Sequence, residues 1–263
     1  MSNHNFNGET YDERLGLMSS FRWRHDPKTV LFMLSRYKWV SAMLAGYNNV
    51  LEVGCGDAFG SHLVAQTVGY LKCIDIDREM ISSANKHPKI TYECTNEITT
   101  ADAIYALDVI EHIPHEESKL WLAELASKAP LVIIGMPSLE SQEYASPLSK
   151  ANHVNCMSAP DLKAMMKEHF SHVFMFSQND EMVHTGFHKL AHYVWAIGVR
   201  SMAYDGTTNR GNPTNYELHK EFMDHSISSQ ESGQQSYANY DDWYENEKKK
   251  KTAPNTYVNP EPK

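Results

Sequence analysis

Residues 51–61, LEVGCGDAFGS, combine residue types that suit nucleotide binding. An apolar run leads into two glycines one residue apart, which lets the backbone approach a ligand closely where a helix begins. A dinucleotide fingerprint needs a third glycine at position 59, which is Phe59 here. Glu52 precedes the glycines, and a carboxylate there would repel a pyrophosphate. The turn therefore indicates a nucleotide-like ligand that carries cationic or hydrogen-bond-donor groups instead of phosphates.

This turn resembles motif I of the class I S-adenosylmethionine (SAM)-dependent methyltransferases, an acidic residue followed by the pattern GxGxG. SAM has an ammonium, a sulfonium and ribose hydroxyls but no phosphate, which suits Glu52. Ala58 stands at the last glycine of the pattern. The resemblance implies that the cofactor is bound by Glu52 and by the turn of Gly54, Cys55 and Gly56.

Two later segments match further motifs of this family, in the same order along the chain. Asp75 ends the second predicted strand in CIDIDREM. By resemblance its carboxylate accepts both ribose hydroxyls, with Ile76 beside it. Asn96 and Glu97 follow the third strand, where the family often has an Asp that accepts the adenine amino group. The side-chain oxygen of Asn96 can accept in the same way.

The turn after the fourth predicted strand lies in DAIYALDVIEHIP, residues 102–114. The resemblance places Asp108, Glu111 and His112 by the methionyl end of SAM and its reactive methyl. Arg36 lies in an amphipathic helix that begins at Pro27. In related enzymes an N-terminal helix covers the cofactor, so Arg36 is expected to pair with the methionyl carboxylate. A solvated helix arginine is the alternative.

Two histidines are candidate general bases. His153 lies in the long loop after the fifth strand, on the edge where the reactive methyl should point, and a neutral imidazole is a competent base near pH 7. His184, in NDEMVHTGF, is the second candidate. The alternatives are a histidine that only holds the loop backbone, and catalysis by proximity and orientation with no base at all.

The sequence predicts no metal site. His184, His188 and His192 are spaced by four, which suits metal binding on a helix. Residues 189–199 are predicted to form a strand, however, and four strand residues span about 13 Å, too far for two ligands of one ion. The four cysteines include no CxxC pair, which argues against zinc and against a disulfide framework and favours a reducing compartment.

Alternating strands and helices from Pro27 onward predict a Rossmann-like α/β fold. We expect a seven-stranded, mostly parallel sheet with helices on both faces. The last two predicted strands, 172–176 and 189–199, follow each other without a helix and should form an antiparallel edge hairpin. The expected domains are an N-terminal segment with a cofactor lid helix (1–46), the methyltransferase domain (47–203) and a flexible polar tail (204–263).

The charge and composition of the chain limit the kinds of partner that it is expected to bind. A net charge of −9 argues against non-specific binding to nucleic acid or anionic membrane. No apolar signal segment and no stretch of 18 apolar residues is present, so a cytoplasmic protein without membrane spans is expected. The tail, poor in aliphatic residues and rich in tyrosine, suits contact with a partner protein.

Residues 135–176 continue the resemblance. They are similar to small-molecule methyltransferases related to ubiquinone biosynthesis. This resemblance implies methyl transfer from SAM to an O or N nucleophile of a small molecule or glycan, with S-adenosylhomocysteine (SAH) as product. Two alternatives stay open: a protein or nucleic-acid methyltransferase, and a SAM-binding scaffold without turnover. A nicotinamide dehydrogenase is disfavoured by Glu52 and Phe59.

Overall fold

The computed structural model describes residues 15–186 and 188–200. The predicted tail (204–263), with its expected partner contact, and the first 14 residues of the predicted N-terminal segment lie outside these described residues. None of the helices in the described residues combines the length and the apolar character that a membrane span requires.

The strands form one eight-stranded sheet in the order β3-β2-β1-β4-β5-β8-β6-β7. Strands β1 to β5 are parallel, whereas β8 runs antiparallel to both β5 and β6, and β7 runs antiparallel to β6. The strands are β1 (Asn49–Val53), β2 (Tyr70–Asp75), β3 (Ile90–Cys94), β4 (Ala103–Leu107), β5 (Leu131–Pro137), β6 (His172–Asn179), β7 (Met182–His184) and β8 (Tyr193–Val199).

Helices cover both faces of this sheet, as the sequence predicts. On one face α2 and α3 pack on residues such as Val50 and Tyr105; on the other, α5 and α7 pack on residues such as Leu51 and Ile104. Coverage on both sides explains why β4, AIYAL, is apolar and buried throughout. The helices are α1 (Leu17–His25), α2 (Pro27–Met43), α3 (Ser61–Ala65), α4 (Arg78–Ser83), α5 (His115–Lys128), α6 (Pro147–Asn152) and α7 (Ala159–Lys167).

Local signals explain where several helices begin. Pro27 occupies the first turn of α2, where its missing N–H is not needed. Asp77 caps α4, and its carboxylate accepts the backbone N–H groups of Glu79 (2.8 Å) and Met80 (3.2 Å). The Ser158 hydroxyl accepts the N–H of Asp161 at the start of α7.

The strand count differs from the prediction: the sheet has eight strands rather than seven, because the three-residue β7 is too short to show a period in the sequence. The predicted antiparallel pairing of the last two strands at this end of the sheet is confirmed, since β8 runs antiparallel to β6. Within that antiparallel part β8 lies between β5 and β6, and β7 forms the outer edge. The β8 sequence YVWAIGV is buried at six of seven positions, which suits an interior strand and not an edge. The strand begins at Tyr193, since residues His188–Leu190 form a 3-10 turn.

Helix α1 was not expected from the sequence. The aromatic and basic patch at 21–25 belongs to it, and Leu17, Phe21 and Trp23 are all about half exposed or more. The buried member is Ser19, which has no accessible surface. A polar residue therefore anchors this helix, which is why apolar periodicity did not reveal it.

Candidate active site

The turn between β1 and α3 has a left-handed backbone at three residues. The φ angle is +76° at Gly54, +56° at Gly56 and +53° at Ala58. A Cβ on Gly54 would lie 2.3 Å from Cγ2 of Val109, whereas Gly56 has open space around the same position. Ala58 adopts the conformation that a glycine favours, at a strain cost of about 1–2 kcal/mol. The backbone thus follows the GxGxG geometry through all three positions.

Hydrogen bonds fix this turn against β2. The N–H groups of Gly54 and Cys55 both donate to the carbonyl of Ile74, at 2.8 and 3.1 Å. The N–H of Gly56 donates to Oδ2 of Asp75 at 2.7 Å. The Asp75 carboxylate therefore stands beside the glycines, at the carboxyl edge of the sheet, where parallel α/β folds bind ligands.

The carboxylate of Asp75 keeps acceptor capacity for a ligand. Oδ2 accepts from Gly56 and Oδ1 from the N–H of Asp77 (2.8 Å), so each oxygen retains a second lone pair. Ile76 is 79% exposed, which makes an uncovered apolar surface next to this carboxylate. Asn96 and Glu97 are exposed in the loop after β3, the next strand outward.

Glu52 is placed differently from the expectation. Its carboxylate is 1% exposed and turned into the core. It accepts hydrogen bonds from the hydroxyls of Tyr37 (2.6 Å), Tyr105 (2.8 Å) and Ser61, and from the Cys73 thiol (3.4 Å). Burial raises the pKa of Glu52, although these hydrogen bonds act in the opposite direction.

The alternation of side chains along β1 explains why Glu52 faces the core, and this placement could have been predicted from the sequence. Alternate residues of a strand face opposite sides, so Glu52 shares its side of β1 with Val50, against α2 and α3. With about four lone-pair sites already met by donors, the carboxylate has no free acceptor site for a ligand. Its hydrogen bonds join β1 to the neighbouring elements at the start of the glycine turn.

A second buried carboxylate ties the turn to α1. Oδ2 of Asp57 accepts the N–H of Ser19 at 2.6 Å, and Oδ1 accepts the Ser19 hydroxyl at 3.0 Å. Both residues are buried. This pair holds α1 directly over the glycine turn. No local sequence pattern indicates this pair, because 38 residues separate the partners.

The end of β4 carries a strained acidic residue. Asp108 has φ +54°, and its Oδ2 forms an ion pair of 2.6 Å with Nη1 of Arg36. The Arg36 guanidinium lies 3.9 Å from the ring centroid of Tyr193 on β8. Burial acts to lower the pKa of Arg36, but the charge and hydrogen bond of Asp108, together with the nearby Tyr193 and Glu111, outweigh burial and the pKa is raised. Helix α2 is thus joined to β4 and β8 at this edge.

Several polar atoms beside this ion pair lack a partner among the described residues. They are Oδ1 of Asp108, both carboxylate oxygens of Glu111 and the hydroxyl of Tyr193. Glu111 is fully buried, and burial together with the charge of Asp108 raises its pKa well above the ordinary value. Buried unsatisfied carboxylate oxygens are costly, so this edge is a candidate position for a polar ligand.

His112 and His153 face each other next to Glu111. Their ring centroids are 5.0 Å apart. Nδ1 of His112 lies 3.0 Å from the carbonyl oxygen of Asn152, and Nδ1 of His153 lies 3.0 Å from Oε1 of Gln142. Burial and the neighbouring His112 lower the pKa of His153, so its imidazole is neutral at pH 7. The structure therefore brings His153 to the edge that the sequence predicts.

His184 lies elsewhere. It is in β7, four strands from β4, a separation of about 19 Å at the usual strand spacing. It borders a groove of about 850 Å³ between α2 and the β6–β7 hairpin. Its Nδ1 accepts the N–H of Gly186 at 3.0 Å. The two candidate bases are therefore not in one site.

No family model and no curated protein matches the sequence. Solved structures do match. A chain of the complex between the Haloferax volcanii Trm112 methyltransferase activator and a methyltransferase is 11% identical, with 68% of this chain and 96% of that chain covered and a TM-score of 0.54. The methyltransferase domain of bacterial CtHen1-C is 14% identical, with 64% and 98% covered and a TM-score of 0.52.

A third match is the plantazolicin methyltransferase BpumL, solved with a monoazolic desmethylPZN analogue and SAH. It is 14% identical, with 70% of this chain and 89% of that chain covered and a TM-score of 0.51. The fold is that of the class I SAM-dependent methyltransferases.

Proposed function

We propose that this chain is a SAM-dependent methyltransferase that acts on an O or N nucleophile of a small molecule or glycan and releases SAH. One observation carries the proposal: the left-handed glycine turn and the Asp75 carboxylate are joined by the 2.7 Å bond from Gly56. They meet at the carboxyl edge of β1 and β2, beside the point where the strand order reverses between β1 and β4.

The residues present fit SAM. Asp75 would accept the two ribose hydroxyls with its remaining lone pairs, and Ile76 would cover one face of the adenine. Asn96 and Glu97 would lie beside the adenine edge. Oδ1 of Asp108 would accept the ammonium of the methionyl group, and Arg36 would pair with the methionyl carboxylate. When bound, SAM supplies an electrophilic methyl group on a sulfonium.

Helices α1 and α2, in segment 1–46, form the cofactor lid in this proposal, and residues 47–203 form the catalytic domain. The Ser19–Asp57 bonds hold α1 over the glycine turn, and the Arg36–Asp108 pair holds α2 at the methionyl end. Exclusion of water and orientation of the acceptor are then the main contributions of the chain to the rate.

Calorimetry with SAM, SAH and NAD tests the cofactor. We expect SAM and SAH to bind and NAD not to bind. Asp75→Asn should weaken SAM binding at least 10-fold, because an amide can accept through one oxygen only. Asp77→Asn is the matched control, since it removes a carboxylate two residues away and keeps a good helix cap. Tight NAD binding without SAM binding would overturn the proposal.

Turnover is tested separately with methyl-labelled SAM and mixtures of hydroxyl and amine acceptors. A labelled small-molecule or glycan product supports the proposed enzyme. Label found only in protein or nucleic acid would show that the proposed acceptor class is wrong. Bound SAM with no labelled product from any acceptor indicates a SAM-binding scaffold.

A further inference from the structure

The groove of about 850 Å³ between α2 and the β6–β7 hairpin has the size of a small-molecule site. The α2 residues that line it extend from Leu31 to Ala42, which is about 16 Å of helix at 1.5 Å per residue. A cavity of this volume that follows a helix over such a length suits one elongated molecule and not a compact one.

Apolar side chains form most of the groove. The rings of Trp39 and Phe176 contact each other edge-on, with centroids 5.4 Å apart. These two rings and three aliphatic side chains of the lining pack against the core from one side and are only partly buried; the three are Leu34, Leu63 and Val183. A ligand with an apolar body would remove this surface from water, which is favourable.

Three donor side chains lie among these apolar residues: Lys38 on α2, His184 at the end of β7, and Thr185 after it. Lys38 is exposed and forms no ion pair within the described residues. Nδ1 of His184 accepts the N–H of Gly186 at 3.0 Å, so the neutral ring carries its proton on Nε2 and donates from there. Together these groups complement a carboxylate, which accepts hydrogen bonds at both oxygens.

The acidic residue of the lining, Glu181, lies at the other end of β7. It is in the turn between β6 and β7, and His184 follows it by three strand residues, which is about 10 Å. The two ends of the groove therefore differ in charge. An anionic group is attracted to the end with Lys38 and repelled from the end with Glu181.

We propose that this groove binds an amphipathic small molecule with an elongated apolar body and one carboxylate. The apolar body lies against Trp39 and Phe176, and the carboxylate meets Lys38 and His184. The site is separate from the candidate SAM site, because β7 is four strands away from β4 in the sheet. His184 is then a hydrogen-bond donor to this ligand and not a base for methyl transfer.

Calorimetry on the full-length protein tests the chemical class with three probes of equal chain length, each below its micelle concentration. The probes are decanoate, 1-decanol and decyltrimethylammonium. We expect decanoate to bind at one site, at least 5-fold more tightly than 1-decanol, and the cation to bind most weakly, because the donors face its charge. An affinity for the cation equal to or above that for decanoate would overturn the proposal.

A charge reversal tests the carboxylate end. Lys38→Glu should lower the affinity for decanoate at least 5-fold and raise the affinity for decyltrimethylammonium. Lys167→Glu is the matched control, since Lys167 is exposed on α7, on the other face of the sheet, and its replacement changes the net charge equally. Equal losses in the two variants would show a general effect of charge and would contradict the site.

A pair of exposed leucines tests the apolar part without a risk to folding. Leu31, at the groove, is 55% exposed, and Leu120, on α5 at the other face of the sheet, is 74% exposed. Leu31→Glu should lower the affinity for decanoate at least 5-fold, and Leu120→Glu should leave it unchanged. Unchanged affinity in Leu31→Glu would show that decanoate binds elsewhere.

Competition with SAM checks the position of the ligand. Saturating SAM should not displace decanoate, and displacement would place decanoate in the cofactor site and overturn the assignment. Decanoate binding does not require SAM binding, so the loss of either result leaves the other in place.

Sedimentation velocity separates the ligand from other occupants of the groove. We expect the same mass with and without decanoate. A wild-type dimer that binds no decanoate and that Leu31→Glu dissociates would assign the groove to a second copy of the chain. A monomer that binds no decanoate would also overturn the proposal.

Discussion

Glu52 precedes the glycine turn in the sequence, and its carboxylate is turned into the core. Glu52 accepts from three hydroxyls and a thiol and has almost no exposed surface. Its partners come from α2, α3, β2 and β4, so one side chain connects four elements beneath the glycine turn.

Glu52→Gln should lower the free energy of unfolding by about 1–3 kcal/mol, because an amide group would face hydroxyl donors. Urea unfolding measures this. The exposed Glu124→Gln on α5 is the control and should change stability by less than about 0.5 kcal/mol. Equal unfolding curves for wild type and Glu52→Gln would mean that these hydrogen bonds contribute nothing.

The pH dependence of that difference has a definite sign. Burial raises the folded-state pKa of Glu52. An unfolded glutamate ionises near pH 4.3 and therefore loses its proton first as the pH rises. Between the two pKa values the unfolded state binds fewer protons, so the contribution of Glu52 to stability falls with rising pH. The stability advantage of wild type over Glu52→Gln should shrink from pH of about 4 upward, and a growing advantage would contradict this.

Gly54 and Gly56 allow the cost of a steric clash to be separated from the cost of a left-handed backbone. Both have positive φ, but only Gly54 has a side chain, that of Val109, where a Cβ would go. Gly54→Ala should therefore destabilise the protein more than Gly56→Ala, which carries only the conformational cost of about 1–2 kcal/mol. Thermal unfolding checks the order. Adding Val109→Ala should recover part of the Gly54→Ala loss, and no recovery would show that the clash is not the cause.

At the scale of elements, the Ser19–Asp57 pair joins helix α1 to the glycine turn. Ser19→Ala removes the hydroxyl bond to Asp57 and keeps the backbone bond. We expect amide hydrogen exchange in α1 to rise several-fold while exchange in β4 stays unchanged, because the loss is local. Ser20→Ala, one residue on and only partly buried, is the control. Equal exchange in both variants would show that the pair does not hold α1.

The sequence predicts the elements from α2 to β5 because strands and helices alternate there with clear periods. It does not predict α1, whose large apolar side chains are exposed, or the three-residue β7. Asp75 and Asp108 could be predicted as site residues because each lies at the carboxyl end of a predicted strand. The partners Ser19 and Asp57, and the approach of His153 to Glu111, depend on tertiary contacts across about 40 residues and leave no local pattern.

At the scale of the molecule, Trp195 joins layers that are distant in sequence. It has no exposed surface, its ring lies 4.3 Å from that of Trp39 on α2, and its Nε1 donates to Gln178 on β6 at 3.0 Å. Trp195→Ala should cost about 3–5 kcal/mol. Trp23→Ala, exposed on α1, should cost little, and similar losses in urea unfolding would contradict the central role of Trp195.

The position of β8 also sets an order of events during synthesis. Strand β6 pairs only with β7 and β8 within the described chain, although β5 precedes it in sequence. A ribosome that adds about 5–20 residues per second delivers β8 a second or more after β6. During that interval one edge of the nascent β5 is unpaired, and β6 lacks the strand that joins it to the sheet. Among the described strands, the last one to be made is therefore the one that closes the sheet. A pause in translation just before Tyr193 would leave the chain most open to wrong pairing.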